Sequence, residues 1–115
     1  MSYAILKSDG SDLIVRPGSP SIDDLYYWIG CEIVELVPIS PTLLMWVDEE
    51  GKLGNNNQQP NLKATLVAMT AGITDYIVGN VVFTGGADTD GEQMGLDDNR
   101  LRSLRTLDSL RVSVI

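Results

Sequence analysis

From Thr42 to Val47 the chain reads Thr-Leu-Leu-Met-Trp-Val, with Pro41 in front and Asp48-Glu49-Glu50-Gly51 behind. A run this short and this apolar has no polar side to offer to water. It reads as a strand buried on both faces, which needs a sheet around it and helices packed on that sheet.

The flanking segments supply such elements. Tyr3 to Lys7 and Leu13 to Val15 are short apolar runs separated by Ser8-Asp9-Gly10-Ser11, a hairpin signal because Gly tolerates the positive φ that tight turns demand. Ser21 is placed to cap a helix, with Asp23 and Asp24 in its first turn, a stripe of Ile22, Leu25, Tyr26 and Ile29, and Gly30 as the stop. Ile33 to Val37 is a further strand, with Glu32 and Glu35 interrupting its apolar run, and Pro38 and Pro41 bracket a break before the central run. Gly54 to Gln59 is the most polar stretch and reads as a loop. Asn61 then caps a helix on which Leu62, Thr65, Leu66 and Met69 share one side, with Gly72 as its end. Tyr76 to Thr84 is a Val- and Ile-rich strand with Gly79 as a bulge. Asp97 caps a last helix, from Asp98 to Leu107, with Leu101, Leu104 and Leu107 turned to the core. The segment around Glu92 to Met94 and the tail Arg111 to Ile115 also have strand character. Several neighbours are joined by turns too short for crossovers. The expected fold is therefore α+β: a single domain over residues 1–115, with a mixed or mainly antiparallel sheet of about five to six strands and about three helices packed on it. Its centre is the strand–turn–strand–helix–strand run from Cys31 to Gly86.

What the chain lacks limits its chemistry. There is no histidine and one cysteine, Cys31. Ser-His-Asp and Cys-His catalysis are excluded, and the usual structural zinc sites cannot be assembled from one chain. A lone Cys without a base is a small buried hydrophobe more often than a nucleophile. Asp88-Thr89-Asp90-Gly91 fails as an EF-hand loop, because Gly86, Gln93 and Asp97 stand where Asp, an apolar residue and Glu belong. No catalytic constellation, metal site or cofactor is expected. An enzyme working with acids alone would have Asp88, Asp90 and Glu92 as its candidates. The formal charge of −8 disfavours direct binding of DNA or RNA and of anionic membranes, and no apolar run is long enough to span a bilayer. With no signal-peptide pattern at the start, a cytoplasmic setting is expected.

The residues that remain point to binding. Arg102 and Arg105 lie three apart on the last helix and present forks suited to phosphate, or pair with surplus acids. Tyr26, Tyr27 and Trp28 are consecutive, so at least one must face outward, and Tyr27 and Trp28 offer a stacking platform or an interface. Gly85 and Gly86 end a strand and can bring backbone amides to a ligand, and Asn56 and Asn57 lie in the polar loop.

Five segments together resemble a domain family of unknown function: Ile29 to Val37, Leu44 to Leu53, Asn61-x-x-Ala64-Thr65, Ile77 to Gly85 and Gly95 to Asp98. The Asp-Glu-Glu-Gly turn followed by Asn-x-x-Ala-Thr is the most specific part. Members of that family are small proteins of bacteriophages, plasmids and other mobile elements, some fused to antirestriction-like modules. The resemblance implies a counter-defence setting and no assigned chemistry. The expectation is a non-enzymatic phage or mobile-element protein that sequesters a small nucleotide-derived signal as a homo-oligomer, with Arg102, Arg105, Tyr27, Trp28, Gly85, Gly86, Asn56 and Asn57 as ligand contacts. The alternative is an acidic inhibitor or nucleic-acid mimic acting on a host defence protein, as the net charge invites.

Overall fold

The apolar run lies one strand in from an edge of the sheet, and alternate side chains leave it on opposite faces. In the computed structural model, which describes residues 1–51, 59–86 and 95–109, the strands are β1 (Ser2–Leu6), β2 (Ile14–Pro17), β3 (Val34–Ser40), β4 (Leu43–Asp48) and β5 (Val81–Thr84). The helices are α1 (Ile22–Ile29), α2 (Leu62–Thr70) and α3 (Asp98–Ser109). The sheet order is β2-β1-β5-β4-β3, and every neighbouring pair is antiparallel. The fold is α+β, as the short connections require.

Two layers of helix cover this sheet. On one face Ala4, Leu6, Met45, Val81 and Phe83 pack with Ala64, Val67 and Ala68 of α2 and Leu104 of α3. On the other, Tyr3, Ile5 and Val82 pack with Leu25 and Ile29 of α1. Trp46, from the central run, reaches the second face and donates its indole N–H to Thr84 Oγ1 at 2.9 Å. Burial of apolar surface on both faces at roughly 25 cal/mol per Å² is the main stabilising term.

The expected caps form. Ser21 Oγ accepts from the Asp24 N–H at 3.1 Å while Asp24 Oδ2 accepts from the Ser21 N–H at 2.9 Å, a reciprocal capping box at the start of α1. Asn61 caps α2 through Oδ1, which accepts from the Ala64 N–H at 3.1 Å. Asn61 does more than cap, however. Only 2% exposed, it donates from Nδ2 to the Leu6 carbonyl at 3.0 Å and to the Gly79 carbonyl at 2.9 Å. One side chain thus ties the end of β1, the start of α2 and the approach to β5. Thr65 adds to the knot: its hydroxyl donates to the Asn61 carbonyl at 2.8 Å and accepts from the Ile77 N–H at 2.9 Å.

Three sequence readings are corrected. The inward side of α2 is Ala64, Val67 and Ala68, whereas Leu62 and Met69 are 49% and 59% exposed. Burial of Asn61 fixes the rotation of the first turn, and the small side chains that follow let the helix approach the sheet. The strand expected from Tyr76 begins only at Val81. Gly79 adopts φ of 82°, which breaks the extended run, and Val78 keeps just an isolated bridge to Pro60. Conversely, β3 continues through Pro38 to Ser40, with a register shift between Pro38 and Ser40. An edge strand tolerates proline because its outer N–H groups have no ladder partner. The strand character read at Glu92 to Met94 and at Arg111 to Ile115, and the Asn-rich loop at Asn56 and Asn57, lie outside the described residues.

The end of α3 is held by Asp108. Its Oδ1 and its carbonyl each accept from Lys63 Nζ at 2.8 Å, and its Oδ2 accepts from the Leu13 N–H at 3.0 Å. Partial burial pushes this carboxyl up, but the Leu13 N–H and the Lys63 ammonium outweigh it, and the net displacement is downward. A carboxyl depressed in the folded state contributes stability that is complete above the unfolded pKa of about 3.9 and is lost as pH falls through the folded value. Asp108→Asn is therefore expected to flatten the acid limb of the unfolding free energy between about pH 5 and pH 2, measured by urea melts across pH. Asn61→Ala, which strands two buried carbonyls and one helix N–H, is expected to cost roughly 2–4 kcal/mol in the same assay. Asn61→Asp should also destabilise, because a carboxylate cannot donate to either carbonyl.

Candidate functional site

The described ligand-binding candidates do not converge within one chain. Tyr27 and Trp28 stand on α1, and Arg102 and Arg105 stand on α3, so the sheet lies between the two pairs. Tyr27 is 76% exposed and meets Trp28 edge-on, with ring centroids 5.1 Å apart. One face of Trp28 is occupied, since the Arg16 guanidinium lies over its ring 5.9 Å from the centroid. Arg102 and Arg105 are both exposed. Gly85 and Gly86 are buried after β5. A Cβ on Gly86 would run into the Pro41 carbonyl, so glycine there permits the β3–β4 turn to pack closely. Asn56 and Asn57, and the acids Asp88, Asp90 and Glu92, are outside the described residues.

Cys31 follows the α1 stop and packs beside the second core. Burial, with a smaller effect from the Asp48 charge, pushes its thiol up to about 11. That is the profile of a protonated structural thiol. Among the described residues no group of three potential metal ligands comes together, and no helix is long and apolar enough to cross a membrane.

The structure does assemble a site from elsewhere. A cavity of about 460 Å³ opens between the far end of the β3–β4 hairpin and the segment that leaves α2. Its wall is aliphatic: Val37 and Val47 from the sheet, and Ile73, Ile77 and Val78 from the segment before β5. Its charged lining is entirely acidic, with Glu35, Asp48, Glu49 and Asp75 and neither Lys nor Arg among the described lining residues. Each wall is positioned for a local reason. The Asp48–Gly51 turn closes through the Gly51 N–H to the Asp48 carbonyl at 3.1 Å, and Asp48 Oδ1 accepts from the Glu50 N–H at 2.9 Å. The Glu49 N–H donates to the Ile33 carbonyl at 3.1 Å, which fixes that corner to the start of β3. Ile77 is held by Asn61 and Thr65, so the clasp that builds the fold also sets one wall of the cavity.

Sequence reading named none of these residues as a site. Glu35 carried a signal, as an acid interrupting an otherwise apolar strand. Ile73 and Tyr76 carried none, because only the path of the chain after α2 brings them beside β3 and β4.

Fold and cavity together define a small α+β protein with an antiparallel sheet and an acid-lined apolar recess. The chain belongs to the family described as a domain of unknown function, DUF3846, whose model matches residues 2–108. No curated protein and no solved structure matches it. The resemblance read from the five segments is thereby met at the level of an uncharacterised family. Three of those segments meet at the cavity, contributing Glu35, the Asp48–Gly51 turn, and Ile77 with Val78.

Native Cys31 is expected to alkylate with iodoacetamide near pH 8 roughly tenfold more slowly than the urea-unfolded chain, since a thiol pushed up to about 11 holds far less thiolate, an effect partly offset by the greater nucleophilicity of a more basic thiolate. Equal rates in the two states would contradict the partly buried, protonated assignment.

Proposed function

We propose that this protein is a non-catalytic binding module that captures a basic protein partner at the acid-lined cavity. The observation that carries the reading is the combination of mainly aliphatic walls with a charged lining that is acidic throughout among the described residues. A Lys or Arg side chain matches both parts, its methylene stem against Val37 and Ile73 and its head beside Glu35 and Glu49. Glu35 and Glu49 are exposed and make no ion pair with Lys or Arg among the described residues. The net charge of −8 adds long-range attraction for a basic surface. The likeness to small proteins of bacteriophages and plasmids supports a counter-defence role in the host cytoplasm, with a basic defence protein as the target.

A second reading is sequestration of a small nucleotide-derived signal by a homo-oligomer. The exposure of Tyr27 favours it, as an aromatic ring free to stack. With Arg102 and Arg105 beyond the sheet, a ligand touching both sets would lie between two copies. Native mass spectrometry distinguishes this reading: it requires a dimer or higher assembly that retains a nucleotide.

The principal reading is tested by calorimetric titration with an arginine-rich peptide at about 0.05 and 0.5 M salt, which bracket strong and weak screening. Glu35→Lys with Glu49→Lys should abolish binding, while Asp9→Lys with Asp23→Lys, an equal charge change at other exposed sites, should reduce it only modestly. Equal losses in the two double variants would reduce the interaction to net charge and sink the site.

A further inference from the structure

A second cavity, about 450 Å³, opens between α2, α3 and the β3–β4 turn and shares no lining residue with the acidic one. Its walls are mainly aliphatic, formed by Ile39, Leu43, Leu66, Leu104 and Leu107, with Ser and Thr hydroxyls also in the lining. Arg100 is the single charged residue among its described lining. Arg100 is of intermediate exposure, and its guanidinium donates from Nε to Thr42 Oγ1 at 3.0 Å in an exposed hydrogen bond. It pairs with no carboxylate among the described residues, although the chain holds 16 acids against 8 bases. A cation held at an apolar recess by a neutral hydroxyl, amid surplus carboxylates, has its terminal nitrogens available for an anion brought by a ligand.

We propose that this cavity binds a small aliphatic carboxylate, with its chain among the leucines and its carboxylate on Arg100. The size falls within the roughly 300–1,000 Å³ of small-molecule pockets. The described lining offers no aromatic ring on which a nucleobase would stack. One guanidinium balances one negative charge, and Asp97 and Asp98, at the start of the same helix, oppose a ligand carrying two. Arg100 stands four residues before Leu104 and seven before Leu107, at the margin of the inward side of α3, whereas Arg102 and Arg105 face away. This site is independent of the acid-lined cavity, and its failure leaves the reading of that cavity untouched.

The test is titration of the intact protein with octanoate, octanol and octyl phosphate, followed through methyl NMR signals. Octanoate is expected to move the methyls of Leu43, Leu66 and Leu104 and to bind at least about tenfold more tightly than octanol. Arg100→Gln should erase that preference while leaving octanol affinity unchanged, and Arg100→Lys, which keeps the charge without the fork, should retain part of it. Ser103→Phe, which sets a ring in the cavity, should block all three ligands. Equal binding of octanoate and octanol, a preference that survives Arg100→Gln, or shifts confined to other methyls would overturn the proposal. Tighter binding of octyl phosphate than of octanoate would also overturn it, in favour of phosphate esters.

Discussion

The buried amide of Asn61 is the interaction on which the rest of this structure depends. A side chain only 2% exposed satisfies its carbonyl oxygen at the start of α2 and both amide hydrogens on strand-end carbonyls of β1 and of the turn before β5. No other residue type supplies one acceptor and two donors in that geometry at that size. With the amide in place, α2 turns its alanine side to the sheet, Gly79 turns through positive φ, and β5 enters between β1 and β4. Asn80 makes the matching link on the other side, accepting from the Ser8 N–H at 3.0 Å and donating to the Trp28 carbonyl at 3.2 Å. Two adjacent regions of backbone are thus fastened to both helical layers by neutral amides, which carry no ionic desolvation cost.

This arrangement separates scaffold from surface. Within the segment Asn-x-x-Ala-Thr, Asn61, Ala64 and Thr65 are all consumed by internal contacts, and Gly79 and Asn80 are consumed in the same way. Residues of the Asp-Glu-Glu-Gly turn, by contrast, close their own loop through backbone and short side-chain bonds while lining a cavity. The family likeness therefore mixes two kinds of position. One kind fixes how β1, α2 and β5 meet, and the other lies where a partner can reach it. The two cavities lie at different junctions of the same helix-covered sheet, and among the described residues the charged lining of one is acidic and that of the other is a single arginine, so their charges are opposed in sign.

Much of the fold was legible because it followed local rules. The Thr42–Val47 run, the Asp9-Gly10 hairpin, the Ser21 and Asn61 caps and the Leu101–Leu104–Leu107 stripe each announce themselves within a few residues. What was illegible depended on distant partners. The outward rotation of Leu62 and Met69 follows from the bond of Asn61 to the Leu6 carbonyl, 55 residues before Asn61 in the chain. The delayed start of β5 follows from the conformation of Gly79, which a bulge reading approximated without locating the break. The site was less legible than the fold. Sequence spacing favoured Arg102 and Arg105 because they are neighbours on a helix, whereas Arg100, at the margin of the inward side, is the arginine among the described lining of a cavity. Glu35 read as an interruption of a strand, and only the approach of the segment carrying Ile73 to Val78 makes it part of a cavity.

The claim that the Asn61 clasp holds the whole fold is tested most directly by native-state hydrogen exchange at the amides it positions. Those are the N–H groups of Asn61, Ala64, Ile77 and Gly79, which donate to Ile77, Asn61 Oδ1, Thr65 Oγ1 and Gln59. All four are expected to exchange only through global unfolding, with the same free energy and denaturant dependence as the slowest amides of β1 and β5. Exchange of these four by a separate, denaturant-independent local opening, while β1 and β5 stay protected, would contradict it.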